Sequence, residues 1–202
     1  MTIFGIVVAA GSGERFGRPK AAAELAGKPL WSWGVDALTS GGCDEVVVVG
    51  DMPGAIPGGL RRRDSVAAGL AAAPERATHV LVHDAARPLA SAELVRRVIE
   101  RLAVGDTDAV VPGLAVGDTL KRVIGKAVTH TVDRTGLVRA QTPQGFTVDA
   151  LRRGHAFDDD EATDDAALVE RCGGSVVIVA GEDHNLKVTY PRDLEVAEAL
   201  VP

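Results

Sequence analysis

The chain has 202 residues, of which 46% are hydrophobic and 25% are charged, a balance typical of one soluble globular domain. Its formal net charge of −6 argues against a general nucleic-acid-binding surface, so any contact with a polyanion needs a local basic pocket. The two cysteines have no metal-binding spacing and favour neither a disulfide framework nor a zinc site. We therefore expect a cytoplasmic protein, without a membrane segment because its leading apolar run is too short.

Short, valine-rich runs alternate with helical patterns along the chain. The runs are continuous, which is typical of strands covered on both faces in a parallel sheet. They lie at residues 3–9, 45–50, 79–82, 109–111 and 175–180. Helices are predicted at residues 30–38, 64–72, 91–102, 164–172 and 191–200. This order predicts a three-layer α/β sandwich with a mostly parallel, Rossmann-like sheet, in a single domain over residues 1–202.

Residues 114–142 interrupt this alternation. Two short strands are predicted there, at residues 119–123 and 127–131, joined around Gly125 and Lys126 as a β-hairpin. A two-stranded hairpin is too small to be stable alone in water. It is expected either to lie on the main sheet or to reach another subunit as a protruding arm, and a surface excursion fits the pattern equally well.

The loop after the first strand combines glycines with cations. Gly11 and Gly13 allow backbone N–H groups to turn toward an anion, and Arg15 and Lys20 add positive charge at the same end. These features describe a cradle for a polyphosphate, although a flexible turn with two solvated cations has the same pattern. Phe16 occupies the place of the third glycine in a dinucleotide-binding fingerprint, which argues against an NAD-dependent oxidoreductase. The loop also lacks the Gly-Lys-Ser/Thr ending of a P-loop.

A series of motifs carries a family resemblance through nearly the whole chain. In order they are AAGSGERFGRPK from residue 9, RDSVAAGL from 63, VHDAARP from 82, DTLKR from 118, HTVDRTGL from 130, QTPQGF from 141, ATDDA from 162 and HNLKVTYPRDL from 184. The first is shared by many nucleotidyltransferases, whereas the later ones are more specific. Together they resemble the 2-C-methyl-D-erythritol 4-phosphate cytidylyltransferases of the non-mevalonate isoprenoid pathway.

The resemblance implies a reaction of CTP with methylerythritol phosphate that gives 4-diphosphocytidyl-2-C-methyl-D-erythritol and pyrophosphate, with Mg²⁺. The nucleophile would be the substrate's phosphate oxygen, which is already anionic near neutral pH. No general base or covalent intermediate is then required, and catalysis should consist of positioning and neutralisation of phosphate charge.

The same resemblance implies roles for individual residues. Arg15 and Lys20 match cations that stabilise the transition state, and Arg134 and Lys187 match those that hold the polyol phosphate. Nucleotide contacts are implied for Ala9, Ala10, Gly11, Gly13, Gly59, Ser65 and Ala85. Substrate contacts are implied for Asp84, Arg87, Thr119, Thr142 and Thr163, and Asp84 is also implied as the metal ligand. Because Thr119 and Arg134 belong to the arm, the resemblance further implies a homodimer in which each arm completes the neighbour's site.

Several of these residues also fit purely structural roles. Ser65 could be a helix cap. Asp84 could be a strand-end cap or form an ion pair with Arg87, and Arg134 could form an ion pair with Asp133 or another carboxylate. His83 is predicted to be a core or supporting histidine, since it alternates with Asp84. In the acidic run FDDDEATDDA, from residue 157, the spacing does not fit an EF-hand, and we expect a solvated loop leading into a helix N-terminus.

Two positions depart from the family pattern. Val8 replaces a usual proline, and Leu60 replaces a frequent acidic residue, so nucleotide selectivity is open at this point. Two alternatives are kept: a cytidylyltransferase for another polyol phosphate such as ribitol 5-phosphate, and an inactive nucleotide-binding dimer.

Overall fold

The structure, a computed structural model, describes residues 1–11, 13, 16–17, 23–157 and 162–201. Its centre is a seven-stranded sheet in the order β11-β6-β10-β5-β1-β4, with β9 paired to β6. The strands of this sheet are β1 Ile3–Val8, β4 Glu45–Val49, β5 His79–Asp84, β6 Ala109–Ala115, β9 Val138–Ala140, β10 Gln144–Thr147 and β11 Val176–Ala180. Two small hairpins, β2 Glu24–Leu25 with β3 Lys28–Pro29 and β7 Leu120–Ile124 with β8 Ala127–Val132, form separate sheets.

Helices cover both faces of the sheet, which confirms the predicted three-layer α/β sandwich. They are α1 Leu30–Gly41, α2 Arg62–Ala71, α3 Ala92–Ala103, α4 Val148–Ala156, α5 Asp165–Arg171 and α6 Pro191–Leu200. Alternate residues of each central strand face opposite cores. Ile6 packs with residues of α2, α4 and α5, whereas Val7 packs with residues of α1 and α3.

The local signals at helix ends agree with the structure. The Ser91 side chain accepts a hydrogen bond from the Leu94 N–H at 3.0 Å at the start of α3. Asp164 caps α5 in the same way, accepting from the Ala167 N–H at 3.0 Å, and Pro191 is the first residue of α6. Among the described residues, no helix is long and apolar enough to cross a membrane.

The sequence interpretation missed β10 and α4. β10 runs antiparallel to both β5 and β6, and so makes an otherwise mostly parallel sheet mixed. Its four residues, QGFT, contain one large apolar side chain, too little for a period to be recognised. α4 follows directly, with the Thr147 hydroxyl accepting from the Ala150 N–H at 3.2 Å.

The predicted hairpin is confirmed, with each strand within one residue of its predicted bounds. β7 and β8 pair antiparallel and stand apart from the main sheet, while β9 returns the chain to β6. Their apolar side chains are unusually exposed, with Ile124 at 75% and Val128 at 59%. An exposed apolar ribbon of this kind marks a surface suited to another protein surface.

Candidate active site

A cavity of about 420 Å³ opens where β1 and β5 end. The two strands are parallel neighbours, and Val8 pairs with Asp84 at their carboxyl ends. Ligands in open α/β sheets collect at this edge. The lining consists of Val8, Ala9, Ala10, Gly11, Gly59, Leu60, Arg61, Arg62, Ser65, Asp84, Ala85, Ala86 and Lys187. Eight of the residues predicted from the sequence therefore lie around one cavity.

The wall opposite β5 is formed by the approach to α2. The Ser65 hydroxyl accepts a hydrogen bond from the Gly59 N–H at 3.1 Å and is buried. A Cβ atom on Gly58 would lie 2.3 Å from the Ala10 Cβ, so this loop needs glycine to approach the first strand. Ser65 lies inside α2, and the alternative that it caps the helix is wrong, because the N-cap position is Arg61.

Asp84 is held between two cations at the centre of the cavity. Its Oδ2 accepts from Lys187 Nζ at 2.7 Å, and its Oδ1 accepts from Arg62 Nε at 3.1 Å. Burial by itself would raise the pKa of this carboxyl, but the charges of Arg62 and Lys187 outweigh it and hold the pKa well below its usual range. The described cavity therefore presents an ionised carboxylate beside an ammonium group.

The alternative ion pair between Asp84 and Arg87 is wrong as a direct contact. The Arg87 guanidinium donates to the backbone oxygens of Asn185 at 2.8 Å and Ala140 at 3.2 Å. Arg87 lines a second cavity, of about 230 Å³, which shares Lys187 with the first. Its predicted contact with substrate stays a prediction.

Arg62 is a site residue that the sequence interpretation did not identify. Besides Asp84, its guanidinium contacts Asp165, with Nη1 donating to Oδ2 at 2.6 Å. Burial would lower the pKa of Arg62, but the two carboxylates raise it, so the group stays charged. Helical spacing carried a signal, because Arg62 precedes the buried Val66 by one turn and so lies on the inward face of α2.

The acidic run leads into a helix N-terminus as expected, since Asp164 caps α5, but Asp165 in its first turn is buried rather than solvated, and residues 158–161 of the run lie outside the described residues. Asp165 is 0% exposed and bonds to Arg62 and to His155, whose Nε2 lies 3.1 Å from Oδ1. Burial alone would raise the pKa of Asp165, but the Arg62 charge and the His155 hydrogen bond lower it overall. The pattern of adjacent acids indicated a helix terminus, whereas the pairing of Asp165 with Arg62, which is distant in sequence, follows from the tertiary structure.

A buried hydrogen-bonded chain supports the end of β5. His83 is 0% exposed, and its Nε2 lies 3.1 Å from the Arg87 carbonyl oxygen, which can only accept. Nδ1 is then the acceptor for the Thr142 hydroxyl at 3.1 Å, and that hydroxyl accepts from the Asp84 N–H at 3.0 Å. Burial lowers the pKa of His83 to about 4, so the ring is neutral at pH 7. This confirms His83 as a core histidine and gives Thr142 a structural contact.

The remaining predicted residues lie elsewhere. Thr163 lines a small cavity beside Arg62, and Thr119 and Arg134 are exposed on the arm. Arg134 donates to the Val116 oxygen at 2.6 Å and also to the Gly117 oxygen. It forms no ion pair with Asp133 or another described carboxylate, which was its alternative role. The Gly13 carbonyl accepts from the Phe16 N–H at 2.8 Å, and Gly13 does not line the described cavity. Arg15 and Lys20 lie outside the described residues.

The positions that depart from the family pattern both line the main cavity. Val8 is partly buried, and its carbonyl oxygen accepts a hydrogen bond from the Ala85 N–H at 3.0 Å. A proline at this position could make the same contact. Leu60 is fully exposed at the cavity wall and carries no hydrogen-bonding side chain.

The donor set suits a metal ion that arrives with a phosphate ligand. Among the described residues, no cluster of three or more His, Cys, Asp or Glu side chains could hold a metal alone. Mg²⁺ is commonly bound through one or two carboxylates together with substrate phosphates. Asp84 fits this arrangement, because it is an ionised carboxylate on the cavity wall.

Comparison with known proteins shows the family to which the chain belongs. The family model for 2-C-methyl-D-erythritol 4-phosphate cytidylyltransferase matches residues 3–202. A protein of that name from Rhodococcus jostii is 46% identical, with 98% of this chain and 95% of that protein covered. The crystal structure of the Thermus thermophilus enzyme of that name is 39% identical, with a TM-score of 0.81 and 96% of each chain covered. The Francisella tularensis enzyme, at 27% identity, has a TM-score of 0.85 over 100% of both chains. The chain therefore belongs to the 2-C-methyl-D-erythritol 4-phosphate cytidylyltransferase family.

Proposed function

We propose that the cavity at the ends of β1 and β5 carries out the reaction of this family. CTP and 2-C-methyl-D-erythritol 4-phosphate are joined to give 4-diphosphocytidyl-2-C-methyl-D-erythritol, and pyrophosphate leaves. The observation that carries the assignment is the contact of Lys187 with Asp84 at 2.7 Å, on the cavity wall formed by the family's nucleotide-binding segments.

The proposed chemistry is an in-line attack by the polyol phosphate oxygen on the α-phosphate of CTP. Ala9, Ala10, Gly11 and Gly13, with Gly59, Ser65 and Ala85, would hold the nucleotide, chiefly through main-chain groups. Arg15 and Lys20 would neutralise the charge that develops on the α-phosphate and the departing pyrophosphate. No side chain has to remove a proton, because the attacking oxygen is already anionic.

The second substrate would approach from the Lys187 side. Lys187 and Arg134 would bind its phosphate, since ammonium and guanidinium groups suit a dianionic ester. Arg87, Thr119, Thr142 and Thr163, together with Asp84, are proposed to surround the polyol. The exposed hydroxyl of Thr163 is available for such a contact, whereas that of Thr142 already bonds within the protein.

We propose Mg²⁺ as the metal cofactor, with Asp84 as its protein ligand. When bound, the ion would neutralise phosphate charge and orient the triphosphate. Adding a chelator should abolish turnover, and restoring Mg²⁺ should recover it. Turnover that persists in excess chelator would remove the metal from the proposal.

The arm places Arg134 and Thr119 away from the described cavity of their own chain. We therefore propose a homodimer in which each arm, residues 114–142, crosses to the partner's cavity. The exposed apolar side chains of β7 and β8 would be covered in that contact. We further propose that the protein acts in the cytoplasm as a single nucleotidyltransferase domain.

The function is tested by pyrophosphate release from purified protein with CTP, Mg²⁺ and either methylerythritol phosphate or ribitol 5-phosphate. Faster turnover of methylerythritol phosphate is expected. Faster turnover of ribitol phosphate would assign the chain to a different polyol, and CTP binding without release from either would indicate an inactive binding protein.

A further inference from the structure

Arg62 links the Asp84 carboxylate to a second, deeper carboxylate. Its Nε donates to Asp84 at 3.1 Å and its Nη1 donates to Asp165 at 2.6 Å, so the two contacts use different edges of one planar group. The side chain of Asp165 is 1% exposed, that of Asp84 is 10% exposed and that of Arg62 is 30% exposed. The buried Asp165 therefore holds the guanidinium on its interior side, and the Nε side of the group contacts Asp84 at the cavity wall.

The interior end of this link is itself held. The His155 Nε2 lies 3.1 Å from the second oxygen of Asp165. His155 belongs to α4 and Asp165 begins α5, so the guanidinium on α2 is positioned by two further helices. Because Arg presents a rigid set of donors, it can keep both carboxylates in one geometry, which the single ammonium of a lysine cannot reproduce.

The two cations on Asp84 are not equivalent. Lys187 is 41% exposed at its side chain and is the group proposed above to bind substrate phosphate. Once its ammonium turns to that phosphate, it contributes less to orienting Asp84. Arg62 has no such freedom, since the buried Asp165 retains it. Arg62 is thus the constant partner of Asp84 before and during substrate binding.

We propose that Arg62 is a positioning residue for the reaction, which acts by holding the Asp84 carboxylate in a fixed orientation toward its ligands. This inference rests on the proposed role of Asp84 at the site. It adds to that role an anchoring chain of Arg62, Asp165 and His155, which contacts the cavity only through Arg62.

A double-mutant cycle tests the proposal, with kcat/KM for methylerythritol phosphate measured at saturating CTP and Mg²⁺. Arg62→Met should lower kcat/KM by about 10- to 100-fold, the usual effect of removing a residue that orients a ligand. Asp84→Asn should lower it at least as far. If Arg62 acts through Asp84, the double variant should be about as active as Asp84→Asn alone.

Independent effects would contradict the inference. If Arg62 only stabilised the fold, its loss would reduce the activity of the Asp84→Asn protein by the same factor as that of the natural protein. If Asp84→Asn is impaired and the effects of the two substitutions multiply in the double variant, the positioning role of Arg62 is overturned, while the role proposed for Asp84 stands. An Asp84→Asn variant with unchanged kcat/KM would instead overturn the role proposed for Asp84, and with it the inference.

A variant that removes both members of the Arg62–Asp165 ion pair is the control for an effect on folding. Arg62→Met leaves Asp165 without its guanidinium, and an uncompensated buried charge destabilises a protein strongly. Arg62→Met/Asp165→Leu replaces the buried pair with apolar groups, an exchange that is often tolerated. This variant should melt cooperatively and still show the reduced kcat/KM, whereas recovery of the natural value would overturn the proposal. Arg76→Met, which removes a guanidinium from an exposed pair with Glu45, is the matched control and should keep full activity.

Discussion

The buried neutral ring of His83 predicts how the stability of the protein depends on pH. Burial holds its pKa at about 4 in the folded protein, against an ordinary value of 6.5 in the unfolded chain. Below pH 6.5 the unfolded chain therefore takes up a proton that the folded protein does not, and this favours unfolding. The stability that His83 contributes is fully present above pH 6.5 and is lost as the pH falls toward 4.

The size of the effect follows from the interval between the two pKa values. At pH 5, about 1.5 pH units below the pKa of the unfolded ring, that ring is protonated while the folded ring is still mostly neutral. This difference lowers the free energy of unfolding by about 2 kcal/mol. The carboxylates of Asp84 and Asp165 do not affect this window, because their lowered pKa values place their losses at more acidic pH. The pKa of His79 is also lowered, chiefly by burial, and its contribution is common to the proteins compared.

The assay is urea unfolding at pH 7.5 and pH 5, at one fixed protein concentration, for the natural protein and for His83→Gln. Glutamine offers one donor and one acceptor without titrating, so it can replace the contacts with Arg87 and Thr142. The natural protein should lose about 2 kcal/mol more than the variant between the two pH values. Equal losses for the natural protein and His83→Gln would refute the reasoning.

Three further predictions concern the proposed active site. Lys20→Ala should lower kcat by about 100-fold or more with little change in CTP affinity, because its charge matters most as the phosphate transfers, and unchanged turnover would remove it from the chemistry. Gly58→Ala should raise the KM for CTP by about tenfold, because its Cβ would lie 2.3 Å from the Ala10 Cβ; an unchanged KM would mean that this contact can relax without cost to the nucleotide site. Arg134→Ala should chiefly raise the KM for the polyol phosphate, and mixing it with Lys20→Ala subunits should restore activity in heterodimers if sites are shared. Inactive verified heterodimers would place each site within one chain.

The sequence was sufficient for the main architecture because its central strands and helices carry local signals. The continuous apolar runs became β1, β4, β5, β6 and β11. The short strand β10 gave no such signal, since its place between β5 and β6 depends on pairing with residues far away in the chain. Its antiparallel direction likewise follows from tertiary structure rather than from composition.

The candidate site was predictable where a residue follows a strand or a motif. Asp84, Ala85 and the Ala9–Gly11 segment had to meet, because β1 and β5 are parallel neighbours that end at the same edge. Arg62 was different. It stands among three consecutive arginines, and although its spacing from Val66 places it on the inward face of α2, its role depends on contacts with Asp84 and Asp165, which are distant in sequence.

The charges around Asp84 connect the free protein to the proposed reaction. Its carboxylate is satisfied by Arg62 and Lys187, so no unpaired charge is left at this point of the described cavity. In the proposed mechanism a phosphate substrate would draw Lys187 away, and Arg62 would stay as the cation paired with Asp84. Asp84 would then keep one paired cation throughout, which explains how a cavity proposed to bind two anionic substrates can itself contain a buried carboxylate.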